Sequence, residues 1–146
     1  MLDIAEYVRE SNAIEGIFDT TGPLWDDHRG AAEWVRANPG RAIAYPRRLH
    51  AILMSRAGPV PRYVLPGEYR SPHSYVFDGR TRFLSGNVTV GGEEKMPWQE
   101  VPAAMRSLLH RARTMKEFPA GRSADDLWPL HYEFDCIHPF FDGHGR

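Results

Sequence analysis

The sequence predicts a mainly α-helical domain with one small β-hairpin. Three observations carry that prediction. Apolar residues return at three- and four-residue steps through most of the chain, which sets one apolar stripe on each stretch. Strand-like patterning is confined to residues 74–90. Pro46 and Pro102 stand where a helix tolerates proline, in its first turn.

The first helix is expected over residues 2–17. Ile4, Val8, Ser11, Glu15 and Phe18 share its stripe, so Ser11 and Glu15 are polar insertions in an apolar face. On periodicity alone, Glu15 is as well read as a solvated residue at the stripe's edge. Residues 19–23 form a turn. A second helix runs from about 24 to 37 on Leu24, Trp25, Ala31, Ala32, Trp34 and Val35, and Asn38-Pro39-Gly40 stops it. Pro46 opens the next, which carries Leu49, Ile52, Leu53 and Met54 to about Arg56. Gly58, Pro59, Pro61 and Pro66 make a stiff connector.

Tyr75-Val76-Phe77 and Thr81-Arg82-Phe83-Leu84 flank Asp78-Gly79, a strong hairpin signal. Asn87-Val88-Thr89-Val90 follows, closed by Gly91-Gly92. A helix over about 99–116 turns Val101, Met105, Leu108, Leu109, Ala112 and Met115 inward. Pro119 to Arg122 is a loop, and Ser123 with Asp126 forms a capping box for the last helix. On that helix Leu127, Leu130, Phe134 and Ile137 form the stripe, and Pro139 ends it.

Composition bounds the function. Among 146 residues, 42% are hydrophobic and 25% charged, as in an ordinary soluble domain. A net charge of −1 offers no electrostatic footprint for nucleic acid or an anionic membrane. No apolar run is long enough to span a bilayer, and the acidic N-terminus has no signal-peptide layout. One cysteine, Cys136, excludes an internal disulfide and fits a reducing cytoplasm. It reads as a small packed residue, and His131 as a packed or half-exposed helical one.

The chemistry concentrates at residues 131–146. His138 sits where a rigid helix hands over to a loop. Its imidazole has a pKa near working pH and suits a general base. Asp142 can hold Mg²⁺. Gly143 and Gly145 let the backbone turn N–H groups toward an anion. Arg146 can hold phosphate. A base, a metal ligand, an anion-cradling loop and a cation within nine residues point to phosphate chemistry.

This stretch resembles the Fic family signature, His-Pro-Phe-x-Asp/Glu-Gly-Asn-Gly-Arg-x-x-Arg. Seven fixed letters of its first nine are present: His138, Pro139, Phe140, Asp142, Gly143, Gly145 and Arg146. Ser11-Asn12-Ala13-Ile14-Glu15-Gly16 is similar to that family's inhibitory motif, Ser/Thr-x-x-x-Glu-Gly/Asn, in its N-terminal placement. Gly67-Glu68-Tyr69-Arg70 is similar to the segment before the family's flap.

The resemblance implies a single Fic-like helical domain, with an inhibitory helix over 1–18, a flap region over 69–98 and the signature over 131–146. It implies protein adenylyltransfer. A Ser, Thr or Tyr hydroxyl of a target protein attacks the α-phosphorus of ATP, and pyrophosphate leaves. His138 would take the hydroxyl proton and Asp142 would ligate Mg²⁺. Gly143, His144, Gly145 and Arg146 would hold the phosphates, and Phe140 would pack inward. Val88, Thr89 and Val90 would dock the target as an added strand. Ser11 and Glu15 would be regulatory, Glu15 pairing with the second signature arginine to block the γ-phosphate.

Two departures shape the expectation. His144 stands where the signature has asparagine, so weakened but not abolished transfer is expected. The chain ends at Arg146, before the second arginine, so it is expected to lack the C-terminal helices and to transfer little or nothing by itself. Two other readings stay open. One is a degenerate nucleotide- or partner-binding module. The other is a metal-dependent hydrolase built on His131, His138, Asp142 and His144. The α-phosphate chemistry does not separate AMP transfer from related UMP or phosphoryl transfer.

Overall fold

The computed structural model describes residues 3–55, 63–115, 127–144 and 146. The mainly α prediction holds, with six helices and two short hairpins among those residues. The chain divides into two compact units. One comprises residues 1–68 and 142–146, the other residues 69–141.

In the first unit, α1 (Ile4–Ile14) begins where the Asp3 carboxylate accepts the Ala5 N–H at 2.9 Å. Its buried face is Ile4 and Val8, packed with Trp25 of α2 (Pro23–Ala37). The helix stops three residues short of expectation, and Gly16 follows with φ 72°. Glu15 and Phe18 therefore leave the stripe and lie exposed.

Ser11 and Asn12 continue the buried face with polar groups. The Asn12 amide oxygen lies 2.7 Å from Nδ1 of His28, itself buried on α2 beside Asp27. The imidazole Nδ1 meets the amide oxygen, as buried polar groups require, while the Asn12 Nδ2 is buried with no hydrogen-bond partner. Burial, aided by the charge of Arg146, pushes the His28 pKa down to about 4. The imidazole is therefore neutral at pH 7.

Asn38 breaks α2, but the helical path resumes at once in α3 (Pro39–Ala44) and again in α4 (Pro46–Leu53). The expected stop at Asn38-Pro39-Gly40 is thus a restart. Proline has no N–H to lose at a first helical position, so Asn38-Pro39 can begin a helix as readily as end one. Gly58, Pro59 and Pro61 of the expected connector, and Arg56, lie outside the described residues.

In the second unit, β1 (His73–Phe77) and β2 (Arg80–Leu84) pair antiparallel, Phe77 opposite Arg80. Asp78 and Gly79 both have positive φ, 49° and 69°, as a two-residue hairpin turn of matching twist requires. A second hairpin, β3 (Thr89–Val90) with β4 (Glu93–Glu94), turns on Gly91-Gly92. The sequence reading had the strand before those glycines and not its return.

Helix α5 (Val101–Thr114) packs on α6 (Trp128–Ile137). Val101, Met105, Leu108 and Ile137 form the core of this unit, with Leu130 and Phe134 half-buried against it. Leu127 is exposed, and α6 starts at Trp128 with Pro129 in its first turn. The loop over 119–122 and the capping pair Ser123 and Asp126 lie outside the described residues.

The pH dependence of stability follows from His28. Its folded pKa is depressed, so full stability is present above the unfolded value of about 6.5 and declines as pH falls toward 4. The urea midpoint of the wild-type chain is expected to drop more between pH 7 and about 4.5 than that of His28→Gln. The glutamine can still donate to Asn12 but does not titrate.

Candidate functional site

Helix α6 ends because His138 turns left-handed, φ 48° and ψ 63°. Pro139 was expected to push its predecessor out of the helical region, and His138 leaves it in the left-handed direction. The His138 N–H still donates to the Phe134 carbonyl at 2.9 Å, which closes the helix. A non-glycine residue in this region costs about 1–3 kcal/mol and persists only where its surroundings enforce it.

The enforcing group is Arg70. It is 1% exposed, the largest fully buried side chain in the structure. Its Nε donates to the His138 carbonyl at 2.6 Å and its Nη2 to the Ile137 carbonyl at 3.0 Å. Nη1 donates to the Gly86 carbonyl at 2.8 Å, and Nη2 also to the Met96 carbonyl. The Arg70 backbone N–H donates to the Pro139 carbonyl at 2.9 Å. Phe140 is buried, as expected, against Tyr69, with ring centroids 5.5 Å apart.

The His138 imidazole is largely covered, and its Nδ1 lies 4.0 Å from Oδ1 of Asp135, one turn back. Burial lowers its pKa below the ordinary histidine value. Lys95 and Arg70 lower it further, and Asp135 opposes them. Lys95 is itself paired with Asp135 at 3.3 Å. The net result is a neutral imidazole at pH 7, able to accept a proton.

Residues 142–146 belong to the first unit. There His50 of α4 holds the Asp142 backbone. Its Nδ1 accepts the Gly67 N–H at 2.9 Å, which leaves Nε2 as the donor to the Asp142 carbonyl at 3.0 Å. Burial lowers the His50 pKa as well, and that neutral tautomer is the one this pair of bonds requires. Oδ1 of Asp142 accepts the Gly143 N–H at 2.7 Å. Gly143 has φ 87°, which disfavours any side chain, and a Cβ there would stand 3.1 Å from Sδ of Met54, so the sulfur would have to give way.

Nη2 of Arg146 lies 3.1 Å from the same sulfur, while its Nη1 is buried with no hydrogen-bond partner. His144 is half-buried, and Gly145 lies outside the described residues. Among the described residues, no three His, Cys, Asp or Glu side chains cluster as a metal site. His131, one of the ligands considered for a metal hydrolase, is exposed and packs its ring on Trp128.

Val88 is half-buried, and Thr89 and Val90 are exposed on β3. The two-stranded sheet leaves each of its strands an open edge. The hairpin is anchored below by Lys95 N–H to the Val88 carbonyl at 3.0 Å and Trp98 N–H to the Asn87 side chain at 3.0 Å. Gly86, φ 89°, lies under the Trp98 ring, where a Cβ would come within 2.8 Å. Ser11 is buried in α1, and Glu15 is exposed at its C-terminal cap.

Arg70 is what the sequence reading missed. A lone arginine in a loop reads as a surface charge. Only its place at the end of Gly67-Glu68-Tyr69-Arg70 hinted otherwise.

A family model described as Fic/DOC family matches residues 43–146. The match begins within α3, so it takes in the flap region and the signature and leaves Ser11 and Glu15 outside. Nothing among curated proteins and nothing among solved structures matches the chain.

Removing Lys95, the cation that lowers the His138 pKa most, should raise it. In Lys95→Gln, the His138 titration midpoint read from its ring C–H resonances moves up toward the ordinary histidine value. Asp135, freed of its partner, pulls the same way. An unmoved midpoint would assign the lowering to burial and Arg70.

Proposed function

The chain belongs to the Fic/DOC family, and on that premise we propose that it transfers AMP from ATP to a serine, threonine or tyrosine hydroxyl of a target protein in the cytoplasm. The observation that carries this reading is His138. It is a neutral imidazole on a strained, firmly bonded backbone at the end of a helix, in the one stretch that also holds a carboxylate and an arginine.

In this reading His138 accepts the hydroxyl proton as oxygen attacks the α-phosphorus, and pyrophosphate leaves. The residues of the tail suit the phosphate end. The buried, unpartnered Nη1 of Arg146 fits an anionic oxygen. Asp142 spends one oxygen on Gly143 N–H and keeps the other for a cation, and Mg²⁺ often takes a single protein carboxylate plus phosphates. When bound, Mg²⁺ would offset charge on the phosphate oxygens. Gly143, His144 and Gly145 would carry the chain around the phosphates. Val88, Thr89 and Val90 would take the target as a further strand on an open edge. Ser11 and Glu15 would restrain the reaction, Glu15 from its exposed place at the end of α1.

A second reading, a module that binds nucleotide without transferring anything, is favoured by His144 at the asparagine position. One pair of measurements separates them. With Mg²⁺ and ATP labelled on the α-phosphate, label passes to protein and falls about 10²–10⁴-fold in His138→Ala if the imidazole is the base. Binding of ATP with no label transferred, in a chain extended through the second signature arginine, selects the module. Label arriving from the γ-phosphate instead would mean phosphoryl transfer.

A further inference from the structure

We infer that Arg70 is a positioning residue of this site, one buried guanidinium that makes the target-docking hairpin and the peptide carrying His138 a single rigid body. This rests on the reading of His138 as base and of β3 as docking edge.

The two ends of the hairpin and the end of α6 converge on one side chain. Gly86 precedes β3, Met96 follows β4, and Ile137 and His138 close α6; all four offer their carbonyls to Arg70. A guanidinium presents its donors in one plane at fixed angles, so four carbonyls bonded to it are fixed relative to one another. Lysine has the charge but not the fork. The acceptors are main-chain atoms, so what is held is backbone position. Two further bonds run along the same seam: Arg70 N–H to the Pro139 carbonyl at 2.9 Å, and Met96 N–H to the Cys136 carbonyl at 3.4 Å. A strand added to β3 would thus be registered against the imidazole through this group.

The guanidinium also bears on chemistry. With Lys95 it disfavours the protonated imidazole, so losing it moves His138 as well as the hairpin.

Amide hydrogen exchange tests the coupling without any need for activity. In Arg70→Lys, the amides of Lys95 and His138 are expected to exchange about tenfold faster or more, the loss of at least one charge-assisted hydrogen bond. Those of Val8 and Leu108 stay as they were. The charge is read apart from the fork in Arg70→Gln, where the His138 titration midpoint rises. Acceleration in only one of the two segments, or equally across all four amides, overturns the inference.

Gly86→Ala probes the coupling from the far side, and serves should Arg70→Lys fail to fold. Its Cβ is forced on Trp98, which displaces the Gly86 carbonyl without touching α6. The His138 amide and titration should still respond, and a His138 left unchanged overturns the inference. Where transfer is measurable, Arg70→Lys lowers kcat and raises KM for the target protein but not for ATP. Absence of transfer bears on the proposed function alone and leaves the exchange result standing.

Discussion

A guanidinium does not shed its charge on burial, so a fold that encloses one must bring acceptors to it. Among the described residues no carboxylate is an acceptor of Arg70, and backbone carbonyls take its hydrogen bonds. That choice has consequences. A carboxylate partner would satisfy the charge and constrain one side chain. Carbonyls from three separate segments satisfy it only if those segments meet, so the cost of burying Arg70 becomes a constraint on the chain path of its whole unit. The left-handed turn at His138 is one product of that constraint. The close passage of Gly86 beneath Trp98 is another, and only a residue without a Cβ can make it.

The first unit handles its polar interior differently. Its buried histidines are kept neutral and used as hydrogen-bonding spacers. His50 bridges the Gly67 N–H and the Asp142 carbonyl, and His28 faces Asn12. Burial lowers the pKa of both, and Arg146 adds to it. Two imidazoles that stay neutral add no positive charge of their own beside that arginine. The phosphate-holding role proposed for Arg146 draws on this as much as on the unpartnered Nη1.

The signature is shared between the two units, His138 to Phe141 in one and Asp142 to Arg146 in the other. The residues proposed as base and as phosphate holders are thus supported by different sets of contacts, Arg70 for the first and His50 with Met54 for the second. Substitutions in one support are expected to leave the other intact, which is useful when the two roles are to be assayed apart.

Much of this was legible in the residues themselves. Periodicity located the long helices, because a stripe at three- and four-residue steps must face a core wherever the helix lies. Asp78-Gly79 specified a hairpin, because a two-residue turn demands positive φ at both positions. Pro139 marked the end of α6 for reasons internal to the peptide bond. The residues expected to hold phosphate and metal were found as a run, since their spacing is local. What tertiary structure alone decided was which polar groups go inside. Nothing local distinguishes Arg70 from a solvated arginine, or His28 and His50 from surface histidines. Their burial depends on carbonyls and amides that distant segments bring to them, and hydrogen bonds of that kind leave no period in a sequence.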